Sequence, residues 1–108
     1  MENDRVPSSV AAALAAANAH DLDAFLDTFA TAGSVDDWGR IFTGREQIRR
    51  WSDAEFIGVG VTLSELSYQA VESGVAVSAQ VGGGGFNGPS TFTFAVGDGG
   101  IDRMTITG

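Results

Sequence analysis

The chain has 108 residues, 14 acidic and 6 basic, giving a net charge of −8 at pH 7, and its length fits one domain over residues 1–108 with a flexible segment at residues 1–6. The negative charge repels nucleic-acid backbones and anionic membrane surfaces, so we expect neither as a partner. No apolar run approaches the ~20 residues of a membrane span, and no signal peptide is recognisable, so we expect a cytoplasmic protein.

Two helices are predicted at the start of the chain. In the first, which ends near residue 19, Pro7 suits the first turn, and Val10, Leu14 and Ala17 recur at helical spacing. Its many alanines leave little side-chain bulk, so we expect a cavity beside this helix. Asp21 is placed to cap the second helix. The apolar stripe of that helix consists of Leu22, Phe25, Leu26 and Phe29 and ends before Gly33.

Residues 34–51 combine a short hairpin with a third helix. The pattern predicts a strand over residues 34–38, a turn at Gly39 and a returning strand over residues 40–42. Thr43 and Glu46 form a T-x-x-E capping box that opens the helix. Ile48 and Trp51 mark its buried side, and Glu46 and Arg50 have the i,i+4 spacing of an exposed ion pair. We expect the helix to end within residues 55–58.

From Val59 onward the hydrophobic period changes from helical to two, which predicts strands. The first strand is long and bends near residues 64–65, where the alternation changes phase. Turns follow at residues 72–74, at Asn87-Gly88 and at residues 98–100. Glycines 82–85 lie just before the second turn and predict strong sheet curvature. Helices followed by an antiparallel meander indicate an α+β fold with the helices on one face of the sheet.

Three stretches carry a family resemblance: HDLDA at residues 20–24, SVDD at 34–37 and FTGREQI at 42–48. With the order of elements, they resemble the nuclear transport factor 2-like superfamily, which includes ketosteroid isomerases, SnoaL-like polyketide cyclases and limonene epoxide hydrolases. The resemblance covers nearly the whole chain. It implies a cone-shaped fold in which three N-terminal helices pack in the concave face of a strongly curved, mixed, mainly antiparallel sheet, in the order α-α-β-β-α-β-β-β-β. Members differ in activity, so the resemblance indicates a fold more than a reaction.

Asp37 is the candidate catalytic residue. In the ketosteroid isomerases the general base is an aspartate on the first strand, and Asp37 is the matching position. Their oxyanion hole takes a tyrosine from the first helix and an aspartate from a late strand; the matching positions, near Ala13 and within residues 91–93, offer neither group. The epoxide hydrolases hold an Asp-Arg-Asp arrangement, for which the middle strands here offer no arginine; Arg103 is the late-strand candidate. Each mechanism is therefore incomplete in the sequence.

Aromatic side chains are the candidate ligand-binding groups, because they could line an apolar pocket. The candidates are Trp38, Trp51, Phe56, Tyr68 and Phe94. Tyr68, if it faces inward, would supply the hydrogen-bond donor that the first helix lacks. Asp36 must face away from Asp37, and we expect it to be exposed or paired with Arg40. His20, the only histidine, is expected to be structural or exposed, and a chain without cysteine is expected to hold no metal or cofactor.

Two functions remain open from the sequence. In the first, an apolar small molecule binds inside the cone and Asp37 transfers a proton in an isomerase-, cyclase- or hydratase-type reaction. In the second, the chain is a non-catalytic ligand-binding or dimerisation module. A homodimer would form through the polar sheet face of Ser78, Gln80, Thr91 and Thr93. A cavity that encloses Asp37 favours the first function, and a filled cone favours the second.

Overall fold

A computed structural model describes residues 6–108 of the chain. Its helices and strands are α1 (Ser8–Ala19), α2 (Leu22–Asp27), β1 (Phe29–Asp37), β2 (Arg40–Thr43), α3 (Gly44–Glu55), a short 3-10 helix (Ile57–Val59), β3 (Thr62–Val71), β4 (Gly74–Gly82), β5 (Gly88–Gly97) and β6 (Gly100–Thr107). The predicted order of helices and strands is confirmed. Of the segment predicted to be flexible, residues 1–5 lie outside the described residues, and Val6 is half-buried against the core.

The strands form one open, mixed sheet in the spatial order β2-β1-β6-β5-β4-β3. Strands β3 to β6 are an antiparallel meander, whereas β1 pairs in parallel with β6. The helices lie against the concave face, so the α+β cone predicted from the sequence is confirmed. One row of directly opposed residues crosses this face: Asp37, Ile106, Phe92, Val77 and Tyr68. Opposed residues share a face, so Asp37 lies on the same side as the buried Phe92.

Helix α2 ends earlier than its apolar pattern predicts. Asp21 caps it as expected, because the Ala24 N–H donates to Asp21 Oδ1 over 3.1 Å, but Phe29 already belongs to β1. The Phe29 ring packs edge-on against Phe25 at 5.3 Å between centroids, so it is buried without continuing the helix. Gly33 also has another role: a Cβ there would lie 2.7 Å from the Ile101 carbonyl oxygen, so the glycine allows β1 and β6 to approach closely.

Helix α3 starts where predicted, but the side-chain hydrogen bond at its start comes from a different residue. Thr43 is the N-cap residue, but its side chain makes no capping hydrogen bond. Gln47 supplies the reciprocal contact, because the Thr43 N–H donates to Gln47 Oε1 over 2.9 Å. Glu46 turns outward and pairs with Arg50 at 3.5 Å, as the i,i+4 spacing predicts. The T-x-x-E box is therefore right in its position, but neither of its two side-chain hydrogen bonds forms.

Two details of the later strands also differ from the sequence pattern. The bend in β3 is confirmed as a register shift between Ser64 and Ser67, but Val59 belongs to the 3-10 helix. Asn87-Gly88 is not a two-residue turn: residues 83–87 form a longer loop, in which Asn87 Nδ2 donates to the carbonyl oxygens of Gly83 and Gly85 over 2.9 and 3.1 Å. Of the glycine run, Gly82 ends β4, and residues 83–85 belong to this loop.

Candidate functional site

A cavity of about 430 Å³ opens at one end of the cone. It lies between the β1–β2 turn, the end of α3, the 83–87 loop and the inner face of the sheet. Its walls are mainly apolar, with aromatic and aliphatic side chains from Trp38, Trp51, Phe56, Val59, Val61, Val81, Phe86, Phe92 and Ile106. The polar side chains on its surface belong to Asp37, Arg40, Glu55 and Ser90. This size and composition are typical of sites for small organic ligands.

The cavity is not beside the alanine-rich helix, where the sequence led us to expect it. No residue of α1 lines it. Instead Ala13, Ala16 and Ala17 are buried, so the small side chains let the helix pack closely against the core. The space opens where α3 ends and the short 3-10 helix turns toward the glycine loop, with Gly84 N–H donating to the Val59 carbonyl oxygen over 2.8 Å.

Asp37 is held at the cavity wall by two donors. It is the last residue of β1, its side chain is 14% exposed, and its Oδ2 accepts a hydrogen bond of 3.0 Å from Trp51 Nε1. The same oxygen accepts from the guanidinium of Arg40, which is directly opposite Asp37 in β2. Within residues 6–108, Oδ1 accepts no hydrogen bond. One carboxylate oxygen is therefore anchored, and the other remains available to a ligand.

Arg40 joins Asp37 to a second carboxylate at the end of α3. Its two terminal nitrogens donate to Glu55 over 3.0 and 2.6 Å. The hydrogen bond from Arg40 lowers the pKa of Glu55, and the bonds to Glu55 and Asp37 raise the pKa of Arg40 further. The two shifts show that Arg40 and Glu55 each stabilise the charged form of the other. Arg40 also lies over the Phe42 ring, 5.6 Å from its centroid.

Two aromatic layers surround this charged group. Trp51 and Phe56 are buried and stacked, with 5.0 Å between ring centroids. Trp38 and Phe86 are 62% and 56% exposed and form the mouth of the cavity. Trp38 lies in the β1–β2 turn with φ of 54°, next to Gly39 with φ of 93°, so both central residues of the turn have left-handed backbone. That geometry is a type I′ turn, which favours asparagine or glycine over tryptophan.

The structure brings together four of the six predicted site residues. Asp37, Trp38, Trp51 and Phe56 all line the cavity. Phe94 does not; it is fully buried in the core, opposite Met104 and Val75. Tyr68 does face the concave side, but it lies on the edge strand β3, is 47% exposed and does not line the cavity. It therefore does not supply the donor that the first helix lacks.

The positions that match the oxyanion hole of the ketosteroid isomerases place no tyrosine or aspartate at the cavity. Ala13 is buried in α1, and Thr91 and Thr93 pair with Ser78 and Ala76 on the convex face of the sheet, away from the cavity. Of the two environments expected for Asp36, pairing with Arg40 is wrong, because Arg40 pairs with Asp37 and Glu55. Asp36 Oδ1 accepts from the Gly39 N–H over 2.8 Å within the turn, and Arg103 lies 4.0 Å from its other oxygen.

Arg40, Glu55 and Ser90 are cavity residues that the sequence analysis did not place there. A signal existed for Arg40, because residues that flank a two-residue turn oppose each other on one face, which pairs Arg40 with Asp37. A signal existed for Ser90 too, since the inward alternation of Phe94 and Phe92 extends to it. Glu55 could not be placed, because its position depends on where α3 ends relative to the hairpin.

The remaining chemical candidates are structural. His20 is exposed and has left-handed backbone at the end of α1, with its Nε2 2.8 Å from the Val61 carbonyl oxygen. Among residues 6–108 no group of histidine, cysteine and carboxylate side chains is arranged to hold a metal ion. In the same range no helix is long and apolar enough to cross a membrane.

Comparison with known proteins identifies relatives by structure. No protein-family model matches the sequence, and no curated protein gives a significant match. The chain is similar to a candidate polyketide cyclase from Sinorhizobium meliloti, with a TM-score of 0.85 and 28% identity over 99% of both chains. It is similar to SalBIII, an epoxide hydrolase/cyclase-like enzyme in pyran ring formation of salinomycin, with a TM-score of 0.80 and 22% identity over 97% of this chain and 90% of that one.

A third similar structure carries a ligand. It is a protein with a ketosteroid isomerase-like fold from Catenulispora acidiphila, in complex with trimethylamine, with a TM-score of 0.78 and 24% identity over 95% of this chain and 86% of that one. These relatives are the cyclase and isomerase-like proteins that the sequence resembles. The chain therefore has the nuclear transport factor 2-like fold that the sequence resemblance implies.

Proposed function

We propose that the chain binds an apolar, ring-sized molecule in this cavity and that Asp37 transfers a proton to or from it in a cyclase-type reaction. The observation that carries the proposal is the position of Asp37. Its carboxylate lies on the wall of a mainly apolar cavity, with one oxygen anchored by Trp51 and Arg40 and the other unengaged by residues 6–108. A general base needs this combination of fixed orientation and an accessible lone pair.

The anchoring donors compensate for placing a charge beside apolar walls. A carboxylate with two hydrogen bonds to one oxygen loses less on desolvation than an unpaired one. Because Arg40 and Trp51 both contact Oδ2, rotation of the carboxylate is restricted, and Oδ1 is directed away from the anchored pair. Such positioning lowers the entropic cost of reaching the reactive geometry.

The structural relatives support a cyclase-type reaction. One is a candidate polyketide cyclase and another an epoxide hydrolase/cyclase-like enzyme. Closing a carbon ring by attack on a carbonyl group requires removal of a proton from the carbon beside a carbonyl, which a carboxylate base can perform. The trimethylamine-bound relative supports the use of the same fold for small ligands.

Proton transfer can be tested without knowing the natural substrate. The bicyclic ketone 2-tetralone has exchangeable protons beside its carbonyl group, and their replacement by deuterium in D₂O can be followed by NMR. We expect the wild-type chain to accelerate this exchange and Asp37→Asn to abolish the acceleration. Asp36→Asn is the matched control, because Asp36 faces the other side of β1 and does not line the cavity, and it should retain the wild-type rate. Equal rates for wild type and Asp37→Asn would reject Asp37 as the base.

A dimerisation role is the second candidate, and the free sheet face favours it. The convex face carries Ser78, Gln80, Thr91 and Thr93, and the helices lie on the opposite face. Small polar side chains on a sheet make a surface suited to a twofold contact. Analytical ultracentrifugation should give a dimer for wild type and a monomer for Thr93→Arg, because an arginine at the centre of this face would separate the sheets. A monomeric wild type would contradict this role.

A further inference from the structure

Ser90 is a buried residue whose hydroxyl group is accessible from the cavity. It is one of three buried polar residues within residues 6–108, with 4% of its surface exposed. The other two are satisfied: Ser34 Oγ accepts from Arg103 Nε over 3.0 Å, and Ser52 Oγ accepts from the Ile57 N–H over 3.3 Å. Among residues 6–108, none forms a hydrogen bond with the Ser90 side chain, which instead lines the cavity.

The position of Ser90 sets it across the cavity from the candidate base. On β5, Ser90 lies two residues before Phe92 and is opposite the buried Ala79 on β4. Phe92 belongs to the row of opposed residues that runs through Ile106 on β6 to Asp37 on β1. Sheet spacings place the Ser90 and Asp37 backbones roughly 12 Å apart. Both side chains point into the concave side, which brings their polar atoms closer than the backbones. A ring-sized molecule can therefore contact both groups at once.

We infer that Ser90 donates a hydrogen bond to an oxygen of the bound molecule, and that the ligands of this cavity are neutral carbonyl compounds. The inference rests on the proposed function and adds the ligand class. The Ser90 hydroxyl is accessible from the cavity, so an oxygen of the ligand can accept a hydrogen bond from it in place of water. The carboxylates of Asp37 and Glu55 exceed the single positive charge of Arg40 among the residues that line the cavity, so an anionic ligand is disfavoured.

Both tryptophans of the chain line the cavity, so their fluorescence reports binding directly. The probes are 2-tetralone and tetralin, which have the same ring skeleton with and without the carbonyl oxygen. We expect Ser90→Ala to weaken 2-tetralone binding by about fivefold, the size of one neutral hydrogen bond, and to leave tetralin binding unchanged. Ser78→Ala, on the convex face, is the control and should change neither affinity.

The outcomes separate the ligand class from the function on which it rests. If both probes bind to wild type and Ser90→Ala changes neither affinity, or both equally, the inference is wrong while ligand binding stands. If neither probe binds to wild type, the proposed function fails together with the inference.

Thermal unfolding gives a second check: Ser52→Ala should lower the melting temperature, whereas Ser90→Ala should leave it unchanged or raise it. An equal loss in both variants would identify Ser90 as a structural hydroxyl and overturn the inference.

Discussion

Arg40 orients the carboxylate of Asp37 at the cavity wall. Its guanidinium is shared between Asp37 and Glu55, so the three side chains form one charged group at the end of β1, β2 and α3. This group also has a carboxylate-arginine-carboxylate arrangement. In the epoxide hydrolase comparison we looked for such an arrangement on the middle strands, whereas here it lies on β1, β2 and α3. Because Arg40 is half exposed, its contribution to stability is modest.

The Arg40–Glu55 pair makes stability depend on pH in a defined direction. The hydrogen bond from Arg40 holds the folded-state pKa of Glu55 below the ordinary value for a glutamate, so the pair stabilises the fold above that ordinary value, and this contribution is lost as pH falls through the lower folded-state pKa. We expect Glu55→Gln to lower the melting temperature slightly at pH 7, and this difference should shrink as the pH is lowered into the acidic range. In an Arg40→Gln background the same substitution should have no pH-dependent effect; a persisting effect would show that Arg40 is not the cause.

Trp38 occupies a backbone conformation that does not suit it. Left-handed φ costs a non-glycine residue ~1–2 kcal/mol, and asparagine tolerates that region best at the first central position of a type I′ turn. We therefore expect Trp38→Asn to raise the free energy of unfolding by about 1 kcal/mol in urea denaturation and to weaken binding of 2-tetralone at the mouth of the cavity. Gly39→Ala is the opposite control and should destabilise the turn, given its φ of 93°. A destabilised Trp38→Asn variant would contradict this account of the turn.

The junction between α1 and α2 attaches the helices to the edge of the sheet. Asn18 Nδ2 donates to the Leu63 carbonyl oxygen over 3.0 Å, and the Leu63 N–H donates to Asn18 Oδ1 over 2.7 Å. His20 makes a parallel contact with the Val61 carbonyl oxygen at 2.8 Å. These side chains therefore satisfy the backbone of β3 as a neighbouring strand would.

Removing the Asn18 amide should loosen this attachment. We expect Asn18→Ala to lower the free energy of unfolding by about 2 kcal/mol, since two partly buried backbone groups lose their partners. Asn18→Asp keeps the acceptor for the Leu63 N–H and loses the donor, so its loss should be intermediate. Urea denaturation of the three proteins measures the order. Equal stability of Asn18→Ala and wild type would show that water replaces the amide without cost.

Local sequence patterns predicted the helices and strands correctly where a single pattern applied to the residues. Period-two alternation predicted the inward faces of β4, β5 and β6, and Asp21 capped α2 as the capping rule requires. The pattern failed at Phe29, where an apolar residue satisfies both a helical stripe and a strand. It failed again at Asn87, whose side chain closes a five-residue loop that a turn dipeptide does not reveal.

The cavity could be predicted only in part, because it is a property of the whole molecule. Asp37 and its aromatic neighbours follow from the resemblance and from composition. The cavity itself depends on where α3 ends, how the 3-10 helix leads into β3, and how the glycine loop folds over Val59. At that loop a Cβ on Gly83 would lie 2.5 Å from the Gly60 carbonyl oxygen, a contact between segments distant in sequence. No local pattern encodes such contacts.

Proton transfer by Asp37 to and from a molecule held in this cavity can be measured separately from binding. The measurement is the rate of deuterium exchange into 2-tetralone in D₂O at saturating ligand, with occupancy followed through the fluorescence of the two tryptophans that line the cavity. Saturation separates chemistry from binding. We expect Asp37→Asn to bind 2-tetralone with little change in affinity and to exchange it at least ~100-fold more slowly. An exchange rate at saturation equal to that of wild type would show that Asp37 is not the base.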